Sequence, residues 1–175
     1  PWEPIQNYFV GDEETNGCRE LFAIELPWLV KTFGPISNLQ VVSRKSTTLP
    51  IKYNDNYLIL IEHENGSAGT LAVDVMSRKA VRRLEVYSEN LYLTWDGIPT
   101  TLREYDITNN CEKSVELYAS VDTQEGYASF IIENAYENEL CAFLDEIDGK
   151  HSAKYSFEED YKIIEIINLI EGKRS

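Results

Sequence analysis

Residues 55–88 limit the possible folds more than any other stretch of the chain. Tyr57-Leu58-Ile59-Leu60-Ile61 and Thr70-Leu71-Ala72-Val73-Asp74-Val75-Met76 are two strand-like runs separated by Glu64-Asn65-Gly66. An Asn-Gly pair between such runs predicts a hairpin, because a tight turn needs positive φ and these two residues tolerate it. Val81 to Tyr87 reads as a third strand after the bend at Ser77-Arg78-Lys79, so the three form an antiparallel meander. The first two runs are apolar at successive positions, so both faces of each strand carry apolar side chains. Something must cover each face.

The flanking segments read as helices. Between about Asn16 and Phe33, Leu21, Ile24, Trp28, Leu29 and Phe33 recur at three- and four-residue spacing. Thr15 or Asn16 can cap the start, and Gly34-Pro35 stops the pattern. Pro27 lies inside it and is expected to kink or split the helix. Leu39 to Ser43 is a strand before the meander, and Leu91 to Trp95 and about Thr101 to Tyr105 are strands after it. Asn109 to Lys113 reads as a polar loop, and Val115 to Tyr118 fits a strand or a helix start. A helix is expected between about Tyr127 and Ile147, with Tyr136, Leu140, Phe143, Leu144 and Ile147 on one stripe. A last helix opens at the capping box Ser156-Phe157-Glu158-Glu159 and carries Ile163, Ile164, Ile167 and Ile170.

This order predicts one α+β domain over residues 1–175: a mostly antiparallel, open-faced sheet of five or six strands with helices packed on one face. The second apolar face is then left for another domain or a second copy, and a face-to-face homodimer is the economical solution.

Charge and cysteine usage narrow the partners. Thirty acidic against sixteen basic residues give a net charge of −14 with the cations scattered. Nucleic acid and anionic membrane are both disfavoured. Three cysteines without CxxC spacing, Cys18, Cys111 and Cys141, fit a reduced, cytoplasmic protein. Two separated histidines and unclustered cysteines do not make a metal site. Ser-His-Asp or Cys-His chemistry has no supporting motif. His63, at a strand end beside a turn, reads as a surface or cross-strand residue, and His151 in its Gly-Lys-His loop invites no stronger reading. Met76 is the only methionine, so the chain is expected to derive from a longer or processed product.

Several segments together resemble a known family. Glu20 to Leu29 leading to Phe33-Gly34-Pro35-Ile36, then Asp55, then Glu64-Asn65-Gly66-Ser67-Ala68-Gly69-Thr70-Leu71, then Tyr87 to Asp96, and finally Tyr155 to Ile170, are similar to the C-terminal half of the Gfo/Idh/MocA oxidoreductases, such as glucose-fructose oxidoreductase and inositol dehydrogenase. The Pro1-Trp2-Glu3-Pro4 opening resembles members that process sugars and sugar nucleotides. The resemblance implies a preceding Rossmann domain that binds NAD or NADP and carries the lysine of a Glu-Lys-Pro motif. No cofactor-binding residue is expected in this chain itself, because Gly66-Ser67-Ala68-Gly69 sits in a hairpin and does not open a helix.

Many members carry an aspartate and, one turn later, an acid/base histidine on the helix matching residues 16–33. Glu20 falls at the aspartate and Ile24 at the histidine, with Glu25 beside it. The histidine is absent. Glu20 or Glu25 could take over proton transfer if burial raised its pKa, or both could be ordinary helix-surface carboxylates. Trp2 and Glu3 could line a sugar site by stacking and hydrogen bonding. Arg78 and Lys79, where the second hairpin strand leaves the sheet, could hold a substrate carboxylate or phosphate.

Two functions follow. The first is the substrate-binding and dimerising domain of an NAD(P)-dependent sugar oxidoreductase, inactive when isolated. The second is a non-catalytic dimeric module for ligand binding or interaction.

Overall fold

The computed structural model describes residues 7–118, 120–122, 125–126, 133–150 and 155–173. Two compact units emerge, divided after Arg78 and again before Tyr155. The first holds helix α1 (Gly17–Phe33), strands β1 (Ile36–Arg44), β2 (Asn56–His63) and β3 (Ala68–Asp74), and helix α3 (Phe157–Ile170). The second holds β4 (Leu84–Ser88), β5 (Leu91–Trp95), β6 (Arg103–Asp106), β7 (Cys111–Ser114) and α2 (Glu133–Ile147). The α+β class is as expected from the sequence. Trp2, Glu3, His151 and the first turns of the expected 127–147 helix lie outside the described residues.

α1 starts where its cap allows. Asn16 Oδ1 accepts the Arg19 N–H at 2.8 Å, and Gly34, at φ +90°, ends the helix with its N–H on the Val30 carbonyl at 2.9 Å. Pro27 does not split it: α1 runs unbroken from Gly17 to Phe33. The carbonyl that Pro27 deprives of a donor belongs to Ala23, on the exposed side of the helix, where water can replace the missing hydrogen bond.

β1, β2 and β3 form an antiparallel sheet in that order, with Ile59 opposite both Val41 and Leu71. One face is the core. Cys18, Phe22 and Leu26 of α1, spaced by four, and Ile163, Ile167 and Ile170 of α3 meet Tyr57, Ile59, Ile61 and Val73 of the sheet. Phe22 is fully buried and edge-on to Tyr57, with ring centroids 5.2 Å apart. The other face is open: Val42 is 53% exposed, Leu58 49% and Leu60 37%. β2 is therefore apolar on both sides, as its sequence requires, with cover on one.

The third strand of the expected meander is different. Asp74 Oδ1 accepts the N–H groups of Met76 and Ser77 at 2.9 and 2.7 Å, an Asx turn that ends β3. The next strand begins at Leu84, not Val81, and pairs with β5 in a separate four-stranded sheet ordered β4-β5-β6-β7. β7 lies in a segment read from sequence as loop. All four of its residues are exposed, and a strand with no buried face shows no apolar alternation to read. Val115 to Tyr118 is neither strand nor helix. Gly97 is required where it stands: φ is +80°, and a Cβ there would lie 2.7 Å from the Arg82 carbonyl oxygen.

No described side chain of the second unit is buried. The stripe of α2 foreseen in the sequence is present but uncovered, from Leu144 at 52% to Ile147 at 66% exposure.

The two helices of the first unit are tied by polar contacts at their ends. Glu171, just past α3, accepts from Asn16 Nδ2 at 2.8 Å, Arg19 Nη1 at 2.5 Å and Lys173 Nζ at 2.9 Å, and only 4% of its side chain is exposed. Glu171→Ala strips a buried amide and a guanidinium of their acceptor, and is expected to lower stability by about 2 kcal/mol. A urea midpoint unchanged from the parent chain would show that Arg19 finds another partner.

Candidate functional site

Of the acid/base candidates, Glu20 stands on the side of α1 turned away from the core stripe of Cys18, Phe22 and Leu26, whereas Glu25 flanks that stripe. Glu20 is exposed in the first turn, where the helix N-terminus favours negative charge. Glu25 is half-buried, and its Oε2 accepts the indole N–H of Trp28 at 2.7 Å, one turn on along the same helix. That bond holds the carboxylate in place. Five residues place Glu20 and Glu25 about 140° apart around the helix and about 7.5 Å apart along it, so the structure does not bring the two carboxylates together. Ile24, between them in sequence, is 50% exposed. Arg78 and Lys79 are exposed and line neither of two shallow surface concavities.

One of these lies along α3 at Phe157, Tyr161 and Glu165, the other at the β4–β5 and β6–β7 turns around Asn90, Asp106 and Lys113; both are open to solvent, and neither includes Glu20 or Glu25. Among the described residues no group of three histidine, cysteine or carboxylate side chains could hold a metal ion. No helix among them is long and apolar enough to cross a membrane.

His63 is not a surface residue. It is buried, its Nδ1 lies 2.7 Å from the Gly34 carbonyl oxygen, and its ring packs 5.8 Å from Phe33. Facing a carbonyl, Nδ1 must carry the proton. The ring thus ties the end of β2 to the α1–β1 turn, which Glu64 N–H also holds through the Pro35 carbonyl at 2.9 Å. Cys18 is fully buried, and burial pushes its thiol up to about 12, which makes it unreactive.

The sequence marks Asp55 as a landmark without showing its role. Its side chain is fully buried at the start of β2, with Oδ1 accepting Ser46 N–H at 2.6 Å. Oδ2 accepts Thr47 N–H at 2.9 Å, Thr47 Oγ1 at 2.5 Å and Lys45 Nζ at 3.3 Å. Burial alone would raise its pKa. The hydroxyl, the two backbone N–H groups and the lysine outweigh that and hold the carboxyl at about 2. Asp55 is thus a permanently ionised clamp on the β1–β2 loop, unsuited to proton transfer near neutrality.

No family model and no curated protein matches the sequence. Solved structures do. Biliverdin reductase from Synechocystis, in complex with biliverdin and NADP+, superposes with a TM-score of 0.70 at 12% identity over 97% of this chain and 50% of its own. UDP-N-acetylglucosamine 3-dehydrogenase from Acidithiobacillus ferrooxidans gives 0.68 at 15% identity over 97% and 49%. Levoglucosan dehydrogenase, in complex with NADH and levoglucosan, gives 0.67 at 15% over 86% and 46%. The chain has the fold of half a Gfo/Idh/MocA-type oxidoreductase. It spans about half the length of these structures. Gly66 to Gly69 join β2 to β3 and open no helix.

Proposed function

We propose that this chain is the substrate-binding and dimerising half of an NAD(P)-dependent oxidoreductase acting on a sugar or sugar derivative, a sugar nucleotide included. The observation that carries the reading is the likeness of almost the whole chain to half of several nicotinamide-dependent enzymes, two of them named for sugar substrates. The cofactor is held by a Rossmann domain outside these residues. The part of α1 outside its core stripe faces the reaction, and one of its two carboxylates, Glu20 or Glu25, moves the proton. Trp2, Glu3, Arg78 and Lys79 contact the substrate. The uncovered face with Val42, Leu58 and Leu60 meets the same face of a second copy, which buries both apolar surfaces. Three unpaired thiols support a reducing, cytoplasmic setting.

The test uses the natural product whole, assayed for NAD+ and NADP+ reduction with a panel of sugars and sugar nucleotides. Turnover is expected, with kcat lowered about a hundredfold by Glu20→Gln or by Glu25→Gln. The 175-residue chain alone is expected to give none. In parallel the chain sediments as a dimer at micromolar concentration, and Leu58→Lys with Leu60→Lys makes it a monomer.

Ile24, where relatives place a histidine, favours a second reading: a module that keeps the sheet for dimerisation or ligand binding and performs no redox step. A whole product that binds neither nicotinamide cofactor would establish that reading instead.

A further inference from the structure

The β4–β6 face carries a pattern that the oxidoreductase reading does not use. Tyr87 pairs with Tyr92 across β4 and β5. The pairing of Leu93 with Glu104 sets Tyr92 opposite Tyr105 on β6, and the two rings meet edge to face at 6.4 Å. The three tyrosines thus form a straight line across three strands, about 10 Å long at the usual strand spacing. Tyr87 is 75% exposed. The Tyr92 hydroxyl donates to Glu85 at 3.1 Å and that of Tyr105 bonds Asn110, so the two inner rings are held in place.

A second line runs beside the first, two residues along each strand or about 7 Å away: Glu85, Thr94 and Arg103, paired in that order. No aliphatic side chain interrupts this face. Leu84, Val86, Leu91, Leu93 and Trp95 all point to the other side.

We propose that this face binds a short oligosaccharide lying across the strands. Pyranose rings offer flat C–H faces to a line of aromatic rings and hydroxyls to a line of hydrogen-bonding side chains, and two adjoining rings match the length of the tyrosine line. A protein interface would desolvate Glu85, Thr94 and Arg103 without aliphatic area to offset the cost. A nucleic acid would meet a chain of net charge −14. A neutral sugar suffers neither penalty. The proposal needs no cofactor and does not depend on the oxidoreductase reading.

The test is a titration of the ¹⁵N-labelled chain with cellotriose, maltotriose and chitotriose, followed by amide shifts. Saturable shifts confined to residues 84–106, with a millimolar dissociation constant for at least one sugar, are expected. Tyr87→Ala should weaken that sugar about tenfold, the loss of one stacked ring, with the melting temperature unchanged because Tyr87 is exposed. Arg103→Ala should weaken it by a smaller factor. Absence of saturable shifts with all three sugars would overturn the proposal, as would shifts centred elsewhere or an affinity untouched by Tyr87→Ala. So would resonances of this face that respond to protein concentration and not to sugar, the mark of self-association there.

Discussion

Asp55→Ala is expected to destabilise the chain by about 3–5 kcal/mol, a large share of the 5–15 kcal/mol that holds a typical domain together. The loss has two parts. Ser46 N–H, Thr47 N–H and Thr47 Oγ1 lose their acceptor, and the β1–β2 loop loses a side chain that closes it onto the start of β2. Asparagine should not rescue it, because one carboxylate oxygen becomes an NH2 group facing donors already in place.

The pH dependence follows from the same geometry. The folded pKa of about 2 lies below the ordinary 3.8, so the ionised form stabilises the fold at every pH above about 4. That contribution, about 2 kcal/mol, disappears as the pH falls from about 4 through 2. Chemical denaturation at pH 7 and at pH 2.5 checks both statements. The parent chain should lose stability between the two, and the alanine variant should lose correspondingly less over the same interval. Equal losses would mean that other carboxylates govern acid unfolding.

Phe22→Ala should cost a similar 3–5 kcal/mol, for a different reason. Phe22 is fully buried: it packs on Tyr57 and lies among Leu26, Ile59 and Ile167, where α1, the sheet and α3 converge. Removing the ring leaves a cavity lined by three separate elements that cannot collapse together without shifting a helix. Phe22→Leu, which retains most of the volume, should cost less than half as much. A thermal or urea unfolding series on the three chains decides it. A loss below about 1 kcal/mol for alanine would mean that the helices re-pack over the gap.

Much of the first unit was legible because its elements are amphipathic with a regular period. The existence of α1 was legible from its period, but the stripe read there, Leu21, Ile24, Trp28, Leu29 and Phe33, is not the face that the core uses: Cys18, Phe22 and Leu26 are buried and Ile24 is 50% exposed. Tyr57, Ile59 and Ile61 mark a strand face, and Ser156 with Glu159 forms the capping box read from sequence, with N–H to oxygen distances of 3.2 and 2.7 Å. β7 was illegible because it buries nothing, and Pro27 leaves α1 unsplit because the carbonyl it orphans lies on the exposed side of the helix. Of the site, the sequence pointed to Glu20 and Glu25 as types of group. It could not say that Trp28 holds one of them.

The sequence by itself determined which segments are helix and strand in the first unit, where the hairpin turns, and that β2 has two apolar faces. Those properties reside in neighbouring residues: period, caps and turn-forming pairs act over a few positions. Only the tertiary structure decided that the strand after β3 joins a second sheet, that His63 is buried against the Gly34 carbonyl, and that Asp55 is an ionised clamp while Glu171 binds two helix ends. Each of these depends on groups far apart in the chain meeting in space, and hydrogen bonding and desolvation are set by what surrounds a group, not by what adjoins it in sequence.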